Sequence, residues 1–338
     1  MHSSSPADAP VVREPLHAPV AHLVRGGVVE GIHYGSVVVL GADGHVQLQL
    51  GDIEAAFYPR SAVKPLQAVA MLRAGLPLDG ELLALAAASH SGEERHLAGT
   101  RRILELAGLT EDRLRNVPDM PYGAAVRDAW IREGRTASRL AQNCSGKHAA
   151  MLWTARLRGW SLADYLDPAH PLQQAIRETV EDLTGQRVAR VTVDGCGAPL
   201  FSISLHGLAR ALARIASAAP GTHEARVADA MREHAEMVSG AGRDVAALMD
   251  AVPGLLTKDG FEGVQVAALP DGRAVAVKIA DGANRARIPV AAAALARAGV
   301  DPELLTEFAG EPLLGGGEPV GCVRVARALD PVPLAACV

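Results

Sequence analysis

The chain has very little lysine: four residues among 338, against 29 arginines. Arg cannot be deprotonated in a protein whereas Lys can, so the four that remain mark places where a guanidinium would not serve. Aromatic residues are also scarce, with three Trp, four Tyr and four Phe. Together with a formal net charge of −5, this excludes a stacking platform and a basic face for nucleic acid. No apolar run reaches the roughly 18 residues a membrane helix needs, which excludes a spanning segment. The four cysteines, Cys144, Cys196, Cys322 and Cys337, are too sparse for a secreted disulfide framework. A reducing, cytoplasmic setting is therefore expected. The opening MHSSSPADAPVVREPLHAP has no apolar h-region and reads as a flexible tail over residues 1–18, ahead of a single domain at 19–332.

Apolar residues at 49% leave ample material for one large core. Val20–Val29, Gly35–Leu40 and Val46–Gly51 read as an antiparallel meander, with a turn at Gly41-Ala42-Asp43-Gly44. Helical spacing begins at Ser61–Ala74 and continues through Gly80–Ala88, Glu93–Ala107, Lys147–Arg158, His170–Thr184 and Leu205–Ala218, broken by a Pro/Gly-rich loop at Pro118–Gly123. Strands return at Gly263–Leu269 and Arg273–Ile279, around the hairpin signal Pro270-Asp271-Gly272, and again near Val320–Val325 after a helix at Arg287–Ala298. Strands at both ends of a helical middle predict an α/β (α+β) architecture: one antiparallel sheet built from the two chain ends and packed with helices.

Chemistry concentrates in short runs. Ser61 and Lys64 lie three apart near a predicted helix start, where their side chains share a face and a neutral Lys could take the serine proton. An N-cap serine and a solvated lysine would give the same spacing. Arg60, just before, offers a fork for a carboxylate. In SHSGEERH, Ser89 is a second candidate nucleophile, His90 and Glu93 are candidate substrate ligands, and Ser91 with Glu94 matches a capping box. Lys278 falls on the strand face shared with Ala274 and Ala276, opposite the apolar Val275, Val277 and Ile279, which favours an exposed lysine.

NCSGKH and DGCG supply Cys144, Lys147, Cys196 and Asp194. Two thiolates suit Zn²⁺, while lysine is an unusual ligand that must first lose its proton. Holding it neutral at pH 7 costs about 4.6 kcal/mol, which a bound dication could supply. No Cys-x-x-Cys or His-x-x-x-His pattern adds a fourth donor. Lys258, in LTKDG, carries no signal that places it.

RSAVKPLQA, ASHSGE, QNCSGKH, DGCG and KIADGANRA, in that order, resemble the rhizobial-type (class 3) L-asparaginases, a group distinct from the bacterial type I/II and plant-type enzymes. The resemblance runs from about His22 to Val325. It implies a fold similar to serine β-lactamases and glutaminases, hydrolysis of L-asparagine to L-aspartate and ammonia, and a homodimer. It further implies two Ser–Lys pairs, Ser61 with Lys64 and Ser89 with Lys278, and a zinc held by Cys144, Lys147 and Cys196, with Asp194 nearby. Arg60, His90 and Asp194 are the expected substrate contacts. Val264 stands where some members carry a further cysteine. A glutaminase or other amidohydrolase of the same fold, or a catalytically silent zinc-binding protein, remains the alternative reading.

Overall fold

A computed structural model describes residues 14–330. Most of the predicted tail, and Cys337, fall outside them. The expected sheet is present and has eight strands, all antiparallel. Its order is Glu311–Gly315, Glu318–Val325, Ala18–Arg25, Val28–Leu40, Ala274–Ile279, Val264–Ala268 and Leu256–Gly260, with Val46–Leu50 paired to Val28–Leu40. The chain ends meet where Ala18–Arg25 pairs with Glu318–Val325, so neither terminal segment forms the sheet alone.

Both faces of the sheet are covered, which explains why the central strands read as nearly continuous apolar runs. Val275, Val277 and Ile279 pack under the helix Asn284–Arg297. Ala274 and Ala276 face the opposite core, built by the helices of the middle of the chain. Small side chains there let Leu205–Ala216 lie close against the strands. The helix Lys64–Arg73 is buried on all sides from Lys64 to Leu72. Its even apolar pattern therefore reports a central position rather than one buried stripe.

The middle of the chain holds more helix than expected, including Ala124–Arg132, His223–Glu233 and Asp244–Ala251. The predicted capping box at Ser91 is not formed. Glu93 is the N-cap of Glu94–Leu106, exchanging bonds with His96, while the Ser91 hydroxyl donates to Ser239 O at 2.9 Å. No helix among the described residues is long and apolar enough to cross a membrane.

Candidate active site

The site forms where the start of the buried helix meets the last strand of the sheet. Residues Arg60–Val63 make a 3₁₀ turn that leads into Lys64–Arg73. Arg60 opens it with φ of +54°, a left-handed conformation that costs a non-glycine residue about 1–3 kcal/mol. Its guanidinium offsets that strain with a 2.6 Å bond from Nε to Asp194 Oδ1, and lies 5.5 Å from the centre of the Phe261 ring. The turn leaves Ser61 partly exposed at its tip and sends Lys64 inward.

Lys64 does not bond to the Ser61 hydroxyl. The tight turn brings the Ser61 carbonyl to the Lys64 backbone N–H and directs the ammonium to Ala88 O (2.5 Å) and Ser89 Oγ (3.1 Å). Ser89 follows the helix Gly80–Ala86 and is fixed by its own N–H on Val238 O. The second lysine at Ser89 is Lys258, from the strand Leu256–Gly260, with Nζ 2.9 Å from Oγ. Lys258 also bonds to Asp259 O at 2.9 Å and to the Asp259 carboxylate.

The expected pairing of Ser89 with Lys278 is not present. Lys278 lies on the strand next but one and donates to the Glu262 and Ile279 carbonyls at 2.8 and 2.5 Å. One local signal could have found Lys258. Lys258-Asp259-Gly260 parallels the strand K-T-G that accompanies S-x-x-K in serine β-lactamases and penicillin-binding proteins. Its glycine has a steric reason: a Cβ at Gly260 would lie 2.3 Å from Pro59 O, just before Arg60 and Ser61. Val264 is fully buried, pairs with Lys278 and Gly260 across the sheet, and makes no polar contribution.

Burial pushes the Lys258 amine down to about 8, with the Lys64 charge acting in the same direction and Asp259 opposing it. Burial also disfavours the Asp259 carboxylate, but Lys258, Arg243 and Arg287 outweigh this and hold it well below the usual range. Arg243 reaches Asp259 Oδ2 at 3.2 Å and Ser89 O at 2.6 Å.

His90 is not available as a direct substrate ligand. It is fully buried, stacked on His96 with ring centres 5.1 Å apart, and its Nε2 lies 2.9 Å from Ser145 Oγ. Burial, followed by the charges of His96, Lys64 and Arg243, keeps it neutral. Glu93 caps its helix and accepts from Ala241 N at 2.9 Å.

Cys144, Lys147 and Cys196 converge, all buried, at the N-terminus of Ser145–Leu157. Lys147 donates to Cys196 Sγ at 3.3 Å. The Cys144 thiol donates to Asn143 Oδ1 at 2.9 Å, and the neighbouring Cys196 sulfur, then burial, pushes it up to about 12. The Cys144 thiol in turn holds Cys196 well below its ordinary value, aided by Lys147. Burial works against the Lys147 charge, but Cys196, Cys144 and Asp194 raise its affinity for the proton. Among the described residues no group of three His, Cys, Asp or Glu side chains is gathered for a metal, so a cation here depends on the lysine nitrogen as a donor. Two sulfurs and one nitrogen could suit zinc only once the Cys144 thiol and the Lys147 ammonium have given up their protons to the metal. Asp194 links this pocket to the serine side: burial raises its proton affinity, yet Lys147 and Arg60 more than reverse that and keep it ionised.

The sequence profile of a family described as L-asparaginase II matches residues 21–325. The chain belongs to the L-asparaginase II family. That is a family of amidohydrolases, and its description points to a small linear amide as the family's substrate. No curated protein matches the sequence. Among solved structures, a β-lactamase from Mycobacterium bovis is 13% identical, with 78% of this chain and 94% of that chain covered and a TM-score of 0.43. A putative β-lactamase from Bacteroides dorei is 16% identical, with coverage of 78% and 92% and a TM-score of 0.42. The native form of Mglu is 16% identical with a TM-score of 0.41 over 78% of this chain, which spans 62% of the Mglu chain. At this distance these likenesses decide nothing about what this L-asparaginase II family member acts on.

Proposed function

We propose that the protein hydrolyses L-asparagine to L-aspartate and ammonia through an acyl-enzyme on Ser61. The observation that carries this reading is the Ser89 hydroxyl held between two buried lysine amines, one of them, Lys64, three residues on from the partly exposed Ser61. With both lysines charged, Ser89 Oγ accepts two N–H bonds and neither nitrogen has a lone pair to offer. With Lys258 neutral the network closes: Lys64 donates to Ser89, Ser89 donates to Lys258, and the two Lys258 N–H groups serve Asp259. The chain Lys64–Ser89–Lys258 then has one vacancy for a proton.

Ser61 attacks the side-chain amide carbon with its hydroxyl turned to Lys64 as substrate binds. Lys64 takes the serine proton while passing one of its own to Ser89, and Ser89 passes one to Lys258. The chain returns the proton to the departing nitrogen, ammonia leaves, and water releases aspartate by the reverse route. Arg60 and Asp194 carry opposite charges in contact, which suits a zwitterion: an amino acid's carboxylate and ammonium can replace each half of the pair.

Cys144, Lys147 and Cys196 would hold zinc. Bound there, the metal would order the segment bearing Asp194; sulfur donors blunt its Lewis acidity. A cytoplasmic homodimer belongs to the same reading, and light scattering on the purified protein tests the dimer.

The decisive experiment measures ammonia release from L-asparagine and L-glutamine alongside metal content. Turnover of asparagine, near-complete loss in Ser61→Ala, and about one zinc per chain are the expected results. A methylene in a pocket is worth only about 1–3 kcal/mol, so some glutamine turnover is tolerable. No ammonia from either amide, with metal still bound, would favour a silent zinc-binding protein.

A further inference from the structure

Asp259 poses a problem for a lysine that must lose its proton. A buried carboxylate in contact with Lys258 favours the ammonium form, and a second cation is needed to hold that carboxylate once the ammonium is gone. Arg243 is placed to be that cation. It lies at the N-cap of Asp244–Ala251, with Nη2 3.2 Å from Asp259 Oδ2. Its Nη1 donates to Ser89 O at 2.6 Å and to Ser239 O at 3.4 Å. One guanidinium thus spans the residue bearing the relay hydroxyl and the residue that holds the lysine. Its face covers the Tyr122 ring, 4.7 Å from the centre, in the loop that precedes Ala124–Arg132.

We propose that Arg243 is a positioning residue of the hydrolytic site, neutralising Asp259 so that Lys258 can work as a free amine and fixing Ser89 against it. The proposal rests on the reading of Ser89 and Lys258 as the proton relay. The charged and titratable groups around the pair come from every neighbouring element. Lys64 comes from the buried helix, Asp259 from the strand, and Arg243 and Asp244 from the start of their helix. Arg287 comes from Asn284–Arg297, Tyr122 from the loop, and neutral His90 from behind Ser89. Arg287 is occupied by Gln265 and Asp244, so among the described residues Arg243 is the cation that pairs with Asp259 besides Lys258. The fork matters as well as the charge. A lysine at 243 could reach one acceptor but could not bridge Ser89 O and Asp259 in a fixed plane.

The test compares wild type, Arg243→Gln and Arg243→Lys for kcat, KM and the pH profile of kcat/KM on L-asparagine, with Ser89→Ala and Lys258→Met alongside. Arg243→Gln is expected to lose about 10²-fold in kcat at pH 7 with little change in KM, and to move the acid limb of the profile to higher pH. Arg243→Lys should return the limb toward wild type while recovering only part of kcat. Circular dichroism spectra matching wild type accompany those results. A kcat loss with the limb unmoved would reduce Arg243 to a structural tie and overturn the proposal. Normal turnover in Arg243→Gln, with Ser89→Ala and Lys258→Met inactive, overturns it and leaves the relay standing. Normal turnover in all three overturns both.

Discussion

Replacing Lys258 by Arg tests the relay most directly, because it keeps charge and approximate reach and removes only the ability to deprotonate. With the amine lowered from an ordinary 10.5 to about 8, roughly 9% of it is neutral at pH 7, against about 0.03% for an unperturbed lysine. Burial thus raises the reactive fraction by about 300-fold, within the 10²–10⁴ range typical of a positioned base. Lys258→Arg should lose activity on that scale, as should Lys258→Met. In wild type, log kcat/KM for L-asparagine should rise with unit slope below about pH 8 and level off above it. Initial ammonia release from pH 5.5 to 10 measures this. A profile flat across pH 7–9, or a limb near 8 that survives in Lys258→Met, would refute the assignment of Lys258 as the group that must be neutral.

The same shift has a stability consequence of definite sign. Between about pH 8 and 10.5 the unfolded chain retains on Lys258 a proton that the folded chain has released. Stability must therefore rise with pH across that window, by up to about 3 kcal/mol at its top, and be independent of this group below it. Lys258→Met should lack that rise. Urea unfolding midpoints at pH 7.5, 8.5 and 9.5 would read the difference.

Three other perturbations follow from the same geometry. Asp259→Asn removes the charge that supports the Lys258 ammonium, so the acid limb of kcat/KM should move to lower pH, measured by the same profile. Gly260→Ala puts a Cβ 2.3 Å from Pro59 O and 3.0 Å from Val264 Cβ, and should cost about 1–3 kcal/mol and displace the Arg60–Ser61 turn. Thermal melts together with kcat report both effects, and an unchanged melting temperature would argue against the close approach. Cys196→Ser should abolish zinc retention through gel filtration, read by elemental analysis, whether or not activity persists; full metal occupancy in that variant would exclude Cys196 as a ligand.

Most of the sheet was legible because alternation and turn chemistry are local, but the strands Leu256–Gly260 and Glu311–Gly315 were not anticipated. Gly41–Gly44 and Pro270-Asp271-Gly272 announce their turns, and the strands on either side follow from period and length. The identity of the second lysine was not legible in that way. Lys258 and Lys278 both lie on strands near glycine, and apart from the likeness of Lys258-Asp259-Gly260 to K-T-G nothing within either segment says which strand will border the turn holding Ser61. That is decided by strand order: the sheet runs from Ala274–Ile279 through Val264–Ala268 to Leu256–Gly260, which lies outermost, beside Arg60–Val63. Ser91 failed for a related reason, since Ser239, 148 residues away, offered its hydroxyl a better acceptor than the helix did. Arg243 had no sequence signal at all, being one of 29 arginines. Its role arises only once a buried carboxylate has to stay charged while the lysine beside it gives up a proton. Ser61, Lys64 and Ser89 could be found by type and spacing, whereas Lys258 and the groups that set its protonation are fixed by the packing of elements far apart in the chain.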